Sequence, residues 1–253
     1  MVLVQKEITA VYLWDIKVRP GAQPITTSWI YHNSDLWLIS LSSDGSNWIT
    51  IADKNIWATD TDITVTDCFG YFYQWWNNYW FPNTWSVTTS STAVNAWTYW
   101  PWNYYSSSTF ITAQPRDSSN NANLRWDTTD TNVARQWPCD TWFHIPSVTD
   151  AQNLIDTLYN IVWWKKQTEF EIYLFMTKTQ IRTAAGAIST PSYANFVLSK
   201  AYSNASPNVL RFWTNTNATV ASATSKSQAF PIRPFKNGIR PPYEWESWWT
   251  KLY

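Results

Sequence analysis

The sequence predicts an α+β domain: a small, twisted, mostly antiparallel sheet with one or two helices and long ordered loops. Three observations predict it. Strand-like stretches lie both early, between Leu36 and Ala52, and late, beyond Asn195. One amphipathic, well-capped helix lies between them. The segment leading to that helix is long and polar, yet rich in aromatic residues. Strands, long loops, a helix and strands again make a sheet gathered from both ends of the chain.

The elements follow in order. Ile8 to Val18, "ITAVYLWDIKV", alternates well enough for a strand pair turning at Trp14-Asp15. "RPGAQP" breaks that pattern and reads as a linker. "DLWLISLSSDGSNWITIADKN" reads as a hairpin: Leu36 to Leu41, a turn at Ser43-Asp44-Gly45-Ser46, then Trp48 to Ala52. From Phe81 to Trp137 the chain is mostly loop, and its many Tyr, Phe and Trp residues point to ordered packing rather than disorder. "PSVTDAQNLIDTLYNIV" predicts a helix with Ser147 as N-cap and Asp150 three residues on. Leu154, Ile155, Leu158 and Ile161 form its apolar face. "FEIYLFMTKTQI" reads as a strand or a second helix. Short strands follow at Asn195 to Leu198, Val209 to Trp213, Thr219 to Ala223 and Ala229 to Arg233. The expected division is a strand pair and linker over 1–24, the main domain over 25–238, and a tail over 239–253.

Composition carries one anomaly. The 253 residues include 21 tryptophans and only 5 glycines, where ordinary usage of about 7% would supply about 18 glycines. Many tryptophans occupy slots that read as glycine, as in "NIWATD", "YFYQWWNNYWF" and "CDTWFH". The pattern implies UGA codons that the source genome reads as glycine, at Trp14, Trp29, Trp37, Trp57, Trp76, Trp80, Trp85, Trp97, Trp100, Trp102, Trp126, Trp137 and Trp142. Trp48 and Trp75 lie in strand-like contexts and read as authentic. Trp163, Trp164, Trp213, Trp245, Trp248 and Trp249 fit either residue. Tryptophans standing for glycine should show backbone geometry hostile to a side chain, or indoles in solvent. The competing expectation is a genuinely tryptophan-rich binding protein.

Charge and hydropathy narrow the function classes. Net charge is zero with 14% charged residues, so the basic footprint of a nucleic-acid-binding protein is missing. No apolar run approaches the roughly 20 residues of a membrane span. "MVLVQKEITAVYL" lacks the n-region, h-region and cleavage site of a secretory signal, which fits a protein released by another route, such as phage lysis, or a fragment.

Four blocks occur in order: "ITIADKNIWATD", "CFGYFYQWWNNYWF", "WPCDTWFHIPSVTDAQNLIDTL" and "SQAFPIRPFKN". With glycine for tryptophan, the third resembles the Cys-Pro-x-Gly-aromatic-His-aliphatic-Pro-Ser signature of the Fibrobacter succinogenes major domain family. Trp76, Trp80 and Trp142 fall where that family has glycine. The resemblance covers roughly Leu36 to Asn237. It implies a C-type-lectin-like fold related to the formylglycine-generating-enzyme fold, in surface or secreted proteins of ligand-binding or unknown role. The same fold displays hypervariable residues late in the sequence. One departure is Pro234, where many members carry the cysteine of a terminal Arg-Cys pair.

Little in the chain supports catalysis. Cys68 and Cys139 are the only cysteines; they fit a disulfide across the long loops, buried thiols or, least well, a nucleophile. Copper-dependent oxidation of the formylglycine type requires a late cysteine pair, which is lacking. His144, just before the helix, reads as a structural histidine. No close carboxylate pair lies in an apolar setting for glycoside hydrolysis. Asp127, Asp130 and Asp140 lack the dense spacing of a calcium loop, and no phosphate-binding glycine fingerprint emerges even with glycine restored. No cofactor or metal is expected.

Pro191 to Lys226 has the Asn, Ser, Thr and Tyr content of adaptable binding surfaces. It reads either as an ordinary polar loop and edge-strand region or as a ligand-binding face of Tyr193, Asn195, Tyr202, Asn204, Asn208, Arg211, Asn215 and Asn217. The expectation is a non-enzymatic ligand-binding or adhesion protein on a virion or cell surface, such as a phage tail-associated receptor-binding or hypervariable display protein. Its partner would be a host-surface protein or glycan, without nucleic acid or membrane insertion, in a homo-oligomer or virion assembly. The rival is a secreted carbohydrate-active enzyme or carbohydrate-binding module using real tryptophan platforms.

Overall fold

Strand β1 (Trp29–Asn33) runs antiparallel to β2 (Leu38–Ser42), and β2 to β3 (Ile49–Ala52). The β2–β3 turn is built by Asp44, whose Oδ1 accepts the backbone N–H groups of Ser46 and Asn47, each at 2.8 Å. This computed structural model describes residues 29–33, 36–75, 77, 79–92, 106–113, 138–139, 142–178, 180–203, 206–213, 216–223 and 225–237. The expected strand pair and tail lie outside them, as do Trp14, Trp76, Trp97, Trp100, Trp102, Trp126, Trp137, Trp245, Trp248 and Trp249.

The following elements are β4 (Phe72–Gln74), β5 (Trp80–Phe81), β6 (Thr89–Ser90), β7 (Phe110–Ile111) and β8 (Phe143–His144). Helices α1 (Val148–Val162) and α2 (Gln167–Leu174) come next. The late strands are β9 (Ile181–Arg182), β10 (Ile188–Ser189), β11 (Tyr193–Ala201), β12 (Pro207–Trp213), β13 (Thr219–Ser222), β14 (Ala229–Phe230) and β15 (Phe235–Lys236). They form two five-stranded sheets, ordered β1-β2-β3-β15-β8 and β10-β9-β14-β4-β5, and a three-stranded sheet, β11-β12-β13. Strands β6 and β7 make a short parallel pair. The fold is a mixed α+β arrangement dominated by antiparallel pairing.

Helix α1 starts where the sequence places it. Ser147 Oγ accepts the Asp150 N–H at 3.1 Å, and Asp150 Oδ2 accepts the Ser147 N–H at 2.8 Å, a reciprocal capping box. Leu154, Ile155 and Leu158 are fully buried against Ile39, Leu41 and Ile51 of the first sheet and Phe196, Leu198, Leu210 and Phe212 of the third. Ile161 joins them from partial burial. Each such side chain contributes about 1.5–3 kcal/mol by leaving water. A second core gathers Tyr73, Trp75, Ile111, Ile145, Val197, Val209, Phe230 and Ile232.

The late strand predicted over Ala229 to Arg233 is shorter in the structure: β14 covers Ala229–Phe230, and β15 begins beyond the predicted end, at Phe235. Strand β14 pairs with β4 and β9, whereas β15 pairs with β3 and β8. Pro231 and Pro234 supply no N–H for a continuous ladder. Ile232 therefore sits in the connector, where its carbonyl accepts the Ile56 N–H at 3.1 Å.

The tryptophans separate by geometry. Trp48 and Trp75 are 6% and 0% exposed. Trp37, Trp57, Trp85 and Trp142 are 65%, 62%, 58% and 68% exposed. Trp37 and Trp57 also have φ of 54° and 64°, in the left-handed region that favours glycine. Trp163, left open by the sequence, joins them at φ 66°, and Trp164 is exposed. Trp80 departs from the expectation: it lies in β5 and stacks on Tyr71 and Tyr79, at ring distances of 4.7 and 5.3 Å. Trp29 is in β1.

Candidate functional site

The β11–β12–β13 sheet carries the predicted binding stretch. Alternation along β11 sends Ala194, Phe196 and Leu198 to the helix-side core, and puts Tyr193, Asn195 and Val197 on the opposite face. The register sets Tyr193 opposite Trp213, Asn195 opposite Arg211, and Arg211 opposite Thr219. The side chains of Tyr193, Asn195 and Trp213 therefore meet around Arg211.

The guanidinium of Arg211 is fixed on several sides. Its Nε donates to Asn195 Oδ1 at 2.8 Å and its Nη2 to the Ser222 carbonyl at 2.9 Å. Its Cζ lies 4.7 Å from the Tyr193 ring centre and 5.7 Å from that of Trp213. The two rings meet edge to face at 5.9 Å and 62°. Burial lowers the guanidinium from its ordinary value, and the neighbouring Tyr193 acts in the opposite sense. The arrangement is a half-buried cation between aromatic walls, rigid and suited to binding rather than proton transfer.

The other predicted residues do not all join this cluster. Asn195 is buried and orients Arg211 instead of facing solvent. Asn208 is also buried; alternation puts it on the side of Leu210 and Phe212, so it does not share the Arg211 face. Tyr202 is exposed in the β11–β12 connection. Arg211 lies four residues along β12 from Pro207, roughly 13 Å away at strand spacing. Asn217 is exposed between β12 and β13. Asn204 and Asn215 lie outside the described residues. Sequence reasoning left Trp213 undecided, although its i, i+2 relation to Arg211 on a strand puts both on one face.

Two further arginines are structural clips. Arg182, fully buried, donates to the carbonyls of Pro82, Gly186 and Trp85, tying the segment after β5 to β9. Arg233, also fully buried, donates to Asn55 Oδ1 at 3.0 Å, Ala52 O at 3.0 Å and Phe175 O at 2.7 Å. It thereby joins the end of β3, the following loop and the C-terminus of α2.

Residues that superficially suggest catalysis are occupied otherwise. His144 Nδ1 is 2.6 Å from Asn237 Oδ1, and its Nε2 is 3.3 Å from Asp150 Oδ2. Ser147 is nearby, but its hydroxyl is buried as the helix cap. The histidine links α1 to the segment after β15 through side chains, rather than through backbone beside the helix start. The disulfide candidate is corrected: Cys68 and Cys139 are buried thiols, not a bridge. Cys68 ends a short 3-10 turn over Thr66–Cys68, whereas Cys139 belongs to the second core. Burial pushes the Cys68 thiol up to about 11, away from the range of a reactive thiolate.

Among the described residues no group of three His, Cys, Asp or Glu side chains is arranged to hold a metal. Asp127, Asp130 and Asp140 lie outside them. No helix among the described residues is long and apolar enough to cross a membrane. Compared with protein-family models, curated proteins and solved structures, the chain matches none.

Proposed function

We propose that this chain is a non-enzymatic ligand-binding or adhesion module of the C-type-lectin-like class, acting at a virion or cell surface. In this reading it is a phage tail-associated receptor-binding or display protein. The observation that carries it is the Arg211 cluster: a cation held between Tyr193 and Trp213 on a late sheet whose connections expose Tyr202 and Asn217. Loops and strand faces on a rigid scaffold tolerate substitution while the buried arginine clips and the α1 core hold the frame. The sequence motifs resembling the Fibrobacter succinogenes major domain family support the finer fold assignment.

Tryptophan at glycine codons belongs to the same proposal. Trp37, Trp57 and Trp163 are the positions that favour it most, because their φ values suit glycine. The experiment is adsorption of the tagged chain to cells of a bacterium that itself reads UGA as glycine. Binding should fall in Arg211→Ala and Tyr202→Ala variants that keep their fold. Full adsorption by both variants would put the binding face elsewhere.

A second reading has its own observation. Trp57, Tyr71, Trp80 and Tyr79 form a row of rings with successive centres 6.3, 4.7 and 5.3 Å apart, the material of a carbohydrate platform. UGG codons at 57 and 80 would favour that module; UGA codons would dismantle the row.

A further inference from the structure

We infer that Arg211 is the carboxylate-binding centre for an acidic saccharide, with Tyr193 and Trp213 walling the sugar ring. This rests on the reading above that the β11–β13 sheet binds a ligand.

The comparison among arginines carries the inference. Arg182 and Arg233 are fully buried, and each spends its donors on three or four hydrogen bonds to backbone or amide oxygens. Arg211 is only half-buried, and its two hydrogen bonds to described residues use two of the five N–H donors of a guanidinium. Among the described residues no carboxylate forms an ion pair with it. Asn195 and the Ser222 carbonyl hold one side of the fork in place, so donors of the same planar group remain for a ligand. A planar fork of this kind binds a carboxylate through two parallel, charge-assisted hydrogen bonds.

The surroundings favour a saccharide over a peptide. Two half-buried rings meet at a corner, offering apolar walls to the C–H faces of a sugar. Thr216, Asn217 and Thr219 are exposed at the same end of the sheet, and Thr219 stands opposite Arg211 in register. This rim offers hydroxyl and amide groups to a polyol. Strand β13 is an edge of its sheet, so a peptide adding there as an extra strand is the competing outcome.

The test is calorimetric titration of the full chain with a glucuronic-acid-containing oligosaccharide and with its neutral glucose counterpart. The acidic sugar should bind at least about tenfold more tightly, and added salt should narrow the difference. Arg211→Gln should abolish the preference in a variant whose circular dichroism shows that the fold is kept. Arg211→Lys should retain part of it, because the charge stays and the fork is lost. Equal affinity for both sugars, an unaffected Arg211→Gln variant, or displacement only by extended peptides would overturn the inference. Cell adsorption separates the two levels. A chain that adsorbs through Arg211 without preferring the acidic sugar loses only the ligand class; a chain that fails to adsorb and binds neither sugar loses the parent reading too.

Discussion

Trp163 donates its backbone N–H to the Tyr159 carbonyl at 2.7 Å and closes α1 with a φ of 66°. Helices commonly end on a left-handed residue, and glycine adopts that conformation without penalty. Among the described residues, three of the four non-glycine residues with positive φ are tryptophans: Trp37, Trp57 and Trp163. Phe175, which ends α2, is the fourth.

Replacing Trp163 by glycine should raise stability by about 1 kcal/mol, read as a higher midpoint in urea denaturation. The same change at Trp75 should lower it by about 3–5 kcal/mol, because that indole fills the second core. A loss at position 163 comparable to that at 75 would mean that tryptophan is the fitted residue there. The codons provide an independent check: UGA is expected at 37, 57 and 163, and UGG at 48 and 75.

The α1 cap ties helix stability to pH. Burial alone would raise the Asp150 carboxyl, but hydrogen bonds from His144 and Ser147 outweigh it and hold the group below the usual carboxylate range. A depressed folded pKa adds stability that is present above the unfolded value, about 3.9, and is lost as pH falls through the folded one. Asp150→Asn should therefore be less stable than the parent at pH 7, with the gap closing below about pH 4. Ser147→Ala should cost about 1 kcal/mol through the lost cap. Thermal melts from about pH 2 to about pH 7 measure both. A gap that stays constant with pH would exclude Asp150 as the titrating group.

Removing the Arg233 guanidinium should be severe. Arg233→Met leaves Asn55 Oδ1 and the carbonyls of Ala52 and Phe175 without their donor, around a side chain that is itself fully buried. A loss of about 3–5 kcal/mol in urea unfolding is expected. A variant as stable as the parent would show that the clip is dispensable.

The thiols should be inert in the native protein. Iodoacetamide should label neither Cys68 nor Cys139 until denaturant is added, and reductant should leave the melting temperature unchanged. Mass spectrometry of the labelled chain reads the result. A drop in melting temperature on reduction would mean that a bridge exists after all.

Legibility in the sequence followed the range of the interactions. The β2–β3 hairpin and the capped α1 were readable because Asp44-Gly45, Ser147 and the Leu154 to Ile161 face act within a few residues. Strands β9, β14 and β15 span two residues each and owe their existence to distant partners. Periodicity carries little over two residues: the strand predicted over Ala229 to Arg233 keeps only Ala229–Phe230, and β15 falls outside it. Residue type in the late polar stretch singled out Tyr193, Asn195 and Arg211, which the strand register brings together. Composition could not show that Asn208 faces the helix side, because that depends on strand phase. The arginine clips were invisible because most of their acceptors are backbone carbonyls, several of them far away in sequence.

The pairing of Phe235 with Ile51 joins residues 235 − 51 = 184 positions apart. Strand β3 thus has one neighbour, β2, available at once, while the other emerges only after most of the chain has been synthesised. Long-range pairing of this kind slows folding, because the loop must close before its contacts form. The nascent chain carries an open β3 edge throughout, so translation speed and protection from aggregation become part of how this molecule is made.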